Sequence, residues 1–283
     1  MLADQAAGLR KALAPPAFHT RLITGISSSI AHSATSANLA VALAAQGKEV
    51  LLMDASNSDR GASWLLGAED LPDLMDAVCG SRDPTGLLFS ARSGLRIMNA
   101  GRFLQHWREL KDRDLGALAQ VLATLCEGFD VLIVDAPLAT LSALPLADNA
   151  VIVSGTDSDS ITRTYRLIKR EAQMLARRRV SILLQALAPR VDADTIFANL
   201  AATTAQYLGI PLSSVGSIPD DPLARRALSM RQPVLDLFPR CEAATALWRC
   251  ADGLLLCPEI APASLHVFIA RIVSAVRAQE RAR

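Results

Sequence analysis

Short unbroken apolar runs alternate along this chain with longer stretches whose apolar residues recur every three or four positions. The short runs are residues 21–24, 50–54, 131–135, 151–154 and 182–184. A strand that is apolar at successive positions is buried on both faces, as parallel strands between two layers of helices are. The pattern predicts an α/β fold, doubly wound, with a mostly parallel sheet and helices on both faces. In such sheets ligands bind beyond the carboxyl ends of the strands. Asp54 and Asp135 each close a predicted strand, so both carboxylates are expected in one crevice, beside the loop at residues 27–33. One aspartate in that position reads as a helix cap; two flanking the same turn favour a site.

The ends of the chain follow a different pattern. Residues 1–13 form a helix candidate, and Pro15 and Pro16 stiffen a linker at 14–19 that cannot continue it. The α/β body is expected over 20–259. Residues 260–283 place Leu265, Phe268, Ile269, Ile272 and Val276 at helical spacing, with Arg271, Arg277, Arg281 and Arg283 as a basic complement. Two readings fit that stripe: an interfacial membrane helix, or a terminal helix docked on the body.

Composition narrows the function classes. A chain of 283 residues that is 51% hydrophobic and 20% charged can bury a full core. Its 29 basic and 28 acidic residues give a formal charge of +1, which removes the basic field of a direct nucleic-acid binder. Residues 1–17 are interrupted by Asp4, Gln5, Arg10 and Lys11, so no leader or membrane span is expected there and the expected location is cytoplasmic. The five cysteines, Cys79, Cys126, Cys241, Cys250 and Cys257, show no metal-binding spacing and read as buried, reduced thiols.

The chemistry concentrates in one loop. Thr24-Gly25-Ile26-Ser27-Ser28-Ser29-Ile30-Ala31-His32-Ser33 lies between a predicted strand and a predicted helix, where a Walker A loop would cradle phosphates with glycines and a lysine. Serines, an alanine and a histidine stand there instead. A serine hydrolase reading of Ser27–Ser29 and His32 lacks a GxSxG elbow, and a dinucleotide reading lacks GxGxxG.

Residues 38–55, Asn-Leu-Ala-Val-Ala-Leu-Ala-Ala-Gln-Gly-Lys-Glu-Val-Leu-Leu-Met-Asp-Ala, resemble the helix and second strand of MinD/ParA-type deviant P-loop ATPases. Residues 94–98, 160–169, 196–200 and 231–239 are similar to the flagellar branch of that family, FlhG or FleN, and Asp4-Gln5-Ala6-Ala7-Gly8-Leu9-Arg10 resembles its DQAxxLR helix. The resemblance implies a regulator of flagellar number and placement. It further implies that the N-terminal helix, through Asp4, Gln5, Ala6, Leu9 and Arg10, docks on an FlhF-type GTPase and stimulates GTP hydrolysis. A flagellar transcriptional activator and a peripheral contact at the inner face of the cell membrane are further implied partners.

Carried onto this chain, the resemblance puts the phosphate-binding lysine on His32, the magnesium-binding hydroxyl on Ser33 and the signature lysine on Ser27. The loop glycines fall on Ser28, Ser29 and Ala31, the second aspartate of DxD on Ser56, and the adenine-contacting asparagine on Gln185. Asp54, Asp135, Ser33 and Asp221 remain. Losing two lysines weakens ATP by roughly 10² to 10⁴. The expectation is a pseudo-ATPase that needs no cofactor, with weak MgATP binding at most and no nucleotide-controlled dimer. The alternative is a slow ATPase in which Ser33 and Asp54 hold Mg²⁺.

Overall fold

The computed structural model describes residues 19–25, 30–56, 58–136, 149–176, 179–188, 191–256 and 265–281. The N-terminal helix candidate, most of the linker and Ser27–Ser29 lie outside them. In chain order the elements are β1 (His19–Gly25), α1 (Ile30–Ala45), β2 (Val50–Asp54), α2 (Ala62–Leu65), α3 (Leu74–Val78), β3 (Phe89–Arg92), β4 (Leu95–Asn99), α4 (Gly101–His106) and α5 (Leu115–Cys126). There follow β5 (Val131–Asp135), β6 (Asn149–Ser154), α6 (Ser158–Arg170), α7 (Ala172–Leu175), β7 (Arg179–Leu187), α8 (Ala193–Leu208), β8 (Leu212–Pro219), α9 (Pro222–Ser229), α10 (Val234–Leu237), α11 (Glu242–Leu256) and α12 (Leu265–Arg281).

The eight strands form one sheet in the order β3-β4-β2-β5-β1-β6-β7-β8. All neighbours are parallel except β3, which pairs antiparallel with β4 at one edge. The expected doubly wound α/β architecture is therefore the one observed. Both faces of the central strands are buried, and alternate residues feed opposite cores. Leu51, Met53, Leu132 and Val134 face the layer of α3–α6, α8 and α12, while Val50, Leu52, Val131 and Ile133 face α1, α2, α10 and α11. A period-two pattern with no polar face is the reason these strands read as continuous apolar runs.

Helix α1 is buried around its whole circumference from Thr35 to Ala44, held between the sheet and the α10–α11 pair. A helix that is apolar all round belongs in an interior. Asn38 pins it from the side: its Oδ1 accepts from Val234 N at 2.9 Å, which fixes the start of α10. Helix α8 ends at Gly209, whose φ of 67° closes the helix in the left-handed conformation that glycine adopts without strain.

The apolar stripe of the C-terminal helix lies against the protein itself. Phe268, Ile272 and Val276 are fully buried on the α5 side of the sheet, and Leu265 and Ile269 pack against the same core. Of the two readings of this stripe, the docked helix is the one observed; the face proposed for membrane is covered, because the core and a lipid surface select the same pattern. Arg277 reaches Asp112 at 3.3 Å on the surface. No described helix is long and apolar enough to cross a membrane. The cysteine expectation needs a partial correction: Cys126 and Cys250 are buried, with burial pushing their thiols up to about 12 and about 11, but Cys79 is exposed.

Candidate functional site

The order in which strands are added reverses around β1: the chain leaves β1 toward β2 on one side, and β5 leads to β6 on the other. The carboxyl ends of these strands border one crevice. Asp54 and Asp135 are register partners on adjacent parallel strands, as the sequence suggested, and both are buried. The first turn of α1 projects His32 and Ser33 into the same place, 3% and 2% exposed.

Asp135 is the electrostatic centre. Ser36 Oγ donates to its Oδ1 at 2.9 Å, and His32 Nε2 lies 3.5 Å from the same oxygen. Burial pushes its carboxyl from the ordinary 3.8 up to about 6; His32, Ser33 and Ser36 oppose that rise and the nearby Asp54 adds to it. Its Oδ2 and both ring nitrogens of His32 are buried without a hydrogen-bond partner among the described residues. Ser36 was not anticipated, although it lies one helical turn after His32 and shares its face.

Asp54 is arranged differently. Its Oδ1 accepts from Ser56 N at 3.0 Å and Ser56 Oγ at 2.6 Å, and its Oδ2 accepts from Ser63 N at 2.8 Å. Both oxygens are thus committed to holding the turn that follows β2. Gly61 is required there by close approach rather than by its φ, since a Cβ would collide with Ser56 Oγ and the Asp54 carboxylate.

Asp221 and Gln185 lie apart from the Asp135 cluster, beside a cavity of about 160 Å³ that is also bordered by Thr35, Asn38, Val234 and Leu247. Gln185 Oε1 lies 3.0 Å from the Thr35 hydroxyl. Asp221 Oδ1 caps α9 by accepting from Leu223 N at 2.8 Å, and its Oδ2 accepts from Ala243 N at 3.0 Å. Burial works to raise its carboxyl, but the Ala243 amide, the Cys241 thiol and the Leu223 amide outweigh it and hold the group below its ordinary value. Asp221 therefore ties α9 to α11, a structural task that its sequence position did not disclose.

A larger cavity, about 730 Å³, opens at the carboxyl ends of β2 and β4. It was not legible in the sequence, because the stretch holding Trp64 and Glu69, Asn99 and Arg231 are three separate segments.

No family model matches the chain. Over 257 residues it is 28% identical to the antiactivator FleN of Pseudomonas aeruginosa, covering 89% of this chain and 92% of that protein. Among solved structures, MinD of Pyrococcus furiosus superposes with a TM-score of 0.63 at 20% identity, over 84% of this chain and 98% of that one. The ParA family ATPase of Chlorobium tepidum gives 0.61 at 21%, over the same shares. These superpositions show that the fold is that of the MinD and ParA structures. Within that class, the similarity that spans most of both chains is to the antiactivator FleN.

Proposed function

We propose that the protein regulates flagellar number and placement through contacts with other proteins, on a MinD-like scaffold whose nucleotide site has become degenerate. The observation that carries this reading is the buried His32 at the start of α1, set against Asp135 where the resemblance puts a phosphate-binding lysine. On this reading the residues present do not suit magnesium triphosphate. Asp54 has both oxygens committed within the chain. Ser33 then offers only a weak metal ligand. Phosphoryl transfer relies on fixed positive charge at the developing oxyanions, which a lysine at this position would carry.

The partner side of the proposal rests on the resemblance of residues 4–10 to the DQAxxLR helix and on the FleN relative, which is an antiactivator. We assign two partners: an FlhF-type GTPase, docked and stimulated by residues 1–13, and a transcriptional activator. Calorimetric titration with MgATP tests the site, and micromolar affinity with measurable turnover overturns its degeneracy. GTP turnover by FlhF, measured with the full chain and with a version lacking residues 1–13, tests the partner; equal turnover removes it.

A further inference from the structure

We propose that the end of the sheet opposite the crevice, where β7 and β8 begin, is a docking surface for an anionic phospholipid bilayer. This goes beyond the proposed function and holds whether or not ATP or a protein partner binds. Two kinds of exposed side chain meet there. The first is cationic. Lys169 and Arg170 lie in the last turn of α6, and Arg179 opens β7 in register with Asn149 at the start of β6. Lys169 and Arg179 are exposed and have no ion pair among the described residues, nor has Arg166, one turn earlier on the outer face of α6. The acids at this end of α6, α8 and α11 are already engaged: Arg170 holds Glu171 at 2.8 Å, and Asp252 accepts from Gln46 Nε2 at 2.8 Å. Along the sequence, residues 163–179 carry seven arginines and lysines against one acid, while the whole chain has a formal charge of only +1.

The second kind is apolar. Tyr207 and Leu256 are 68% and 81% exposed, the highest values among the large hydrophobic residues described. Tyr207 lies in the last turn of α8, shortly before β8 begins at Leu212, the register partner of Val180. Helix α11 runs antiparallel to β8: Ala243 meets Asp221, Cys250 meets Gly216 and Gly253 meets Val215, so Leu256 comes out at the same end. Helices α8 and α11 belong to opposite faces of the sheet. Tyr207 and Leu256 are therefore separate protrusions from one end, and neither cavity described above borders them. A partner helix or peptide seats in a groove or along a strand, whereas a bilayer interface receives isolated aromatic and aliphatic tips flanked by cations. Cations in a last helical turn also suit the helix dipole, but the dipole accounts for neither Arg179 nor the two apolar tips. The covered stripe of α12 takes no part.

Co-sedimentation of the full chain with vesicles of equal parts phosphatidylglycerol and phosphatidylcholine tests the proposal, with pure phosphatidylcholine as the neutral counterpart. At low salt the anionic vesicles bind about tenfold tighter or more, and high salt removes the difference. Lys169→Gln and Arg179→Gln each weaken binding about fivefold, the worth of one basic side chain at such a surface. Tyr207→Ser and Leu256→Ser each weaken it several-fold. All four side chains are exposed, so the circular dichroism of each variant matches the parent. Arg277→Gln, on α12, has no effect. Equal binding to the two vesicles overturns the proposal, and so does a loss caused by Arg277→Gln but not by Arg179→Gln. Binding of duplex DNA that Arg179→Gln weakens, with Tyr207→Ser and Leu256→Ser silent on vesicles, would make this a general polyanion surface and overturn it as well.

Discussion

Asp135→Asn separates a residue kept for chemistry from one kept for stability. In the folded chain the Asp135 carboxyl is raised from 3.8 to about 6, chiefly by burial. Between those values the folded protein holds a proton that the unfolded chain has released, so stability falls as pH rises through the window. Above about pH 6 the full deficit is present. A shift of about 2 pH units corresponds to about 3 kcal/mol. Asparagine keeps the shape and the oxygen that accepts from Ser36, while its amide replaces Oδ2, which has no hydrogen-bond partner among the described residues. The variant is therefore more stable than the parent by about 2 kcal/mol at pH 8, after about 1 kcal/mol for imperfect pairing of the new donor. The advantage shrinks to near zero at pH 4. Urea unfolding followed by circular dichroism at both pH values measures it, read as a midpoint shift at constant slope. A variant less stable than the parent at pH 8, or an advantage of equal size at both pH values, would refute the reasoning.

Three further outcomes follow from other parts of the structure. His32→Lys places a fixed charge at the start of α1 and tightens MgATP by about tenfold to a hundredfold in calorimetry, the worth of one charge-assisted bond; no change would mean that the committed oxygens of Asp54 close the site by themselves. Asp221→Ala removes two amide acceptors that join α9 to α11 and costs about 2–4 kcal/mol in urea unfolding, whereas an effect below about 0.5 kcal/mol would demote it to an ordinary surface cap. Phe268→Ala opens a void under α12 and costs about 3–5 kcal/mol of thermal stability; an unchanged melting temperature would show that α12 is not docked in solution.

Strands buried on both faces leave no freedom in their sequences, which is why residues 50–54 and 131–135 could be bounded to the residue and why their closing aspartates were found. The edge strand β8 carries Ser213, Ser214, Gly216 and Ser217 and is only partly buried, so no apolar run marked it. The β3–β4 hairpin escaped as a strand pair for the same reason, with the four residues of β3 exposed or half-buried. Within the site, the sequence located His32, Ser33 and the two carboxylates because each sits at an element end in a recognisable order. It could not disclose that Asp54 turns inward onto Ser56 and Ser63, or that Asp221 spans two helices, since those contacts depend on how loops fold back.

Local pattern thus determined the class of fold and the crevice, both of which are written in the type and spacing of neighbouring residues. Tertiary structure alone decided that His32 meets Asp135 across more than a hundred residues, that the C-terminal stripe covers the α5 face, and that Trp64 and Arg231 close a cavity together. The physical reason is that an apolar stripe or a charged side chain carries no record of its partner. Which surface covers it is fixed only when the crossovers of the sheet bring distant segments into one volume.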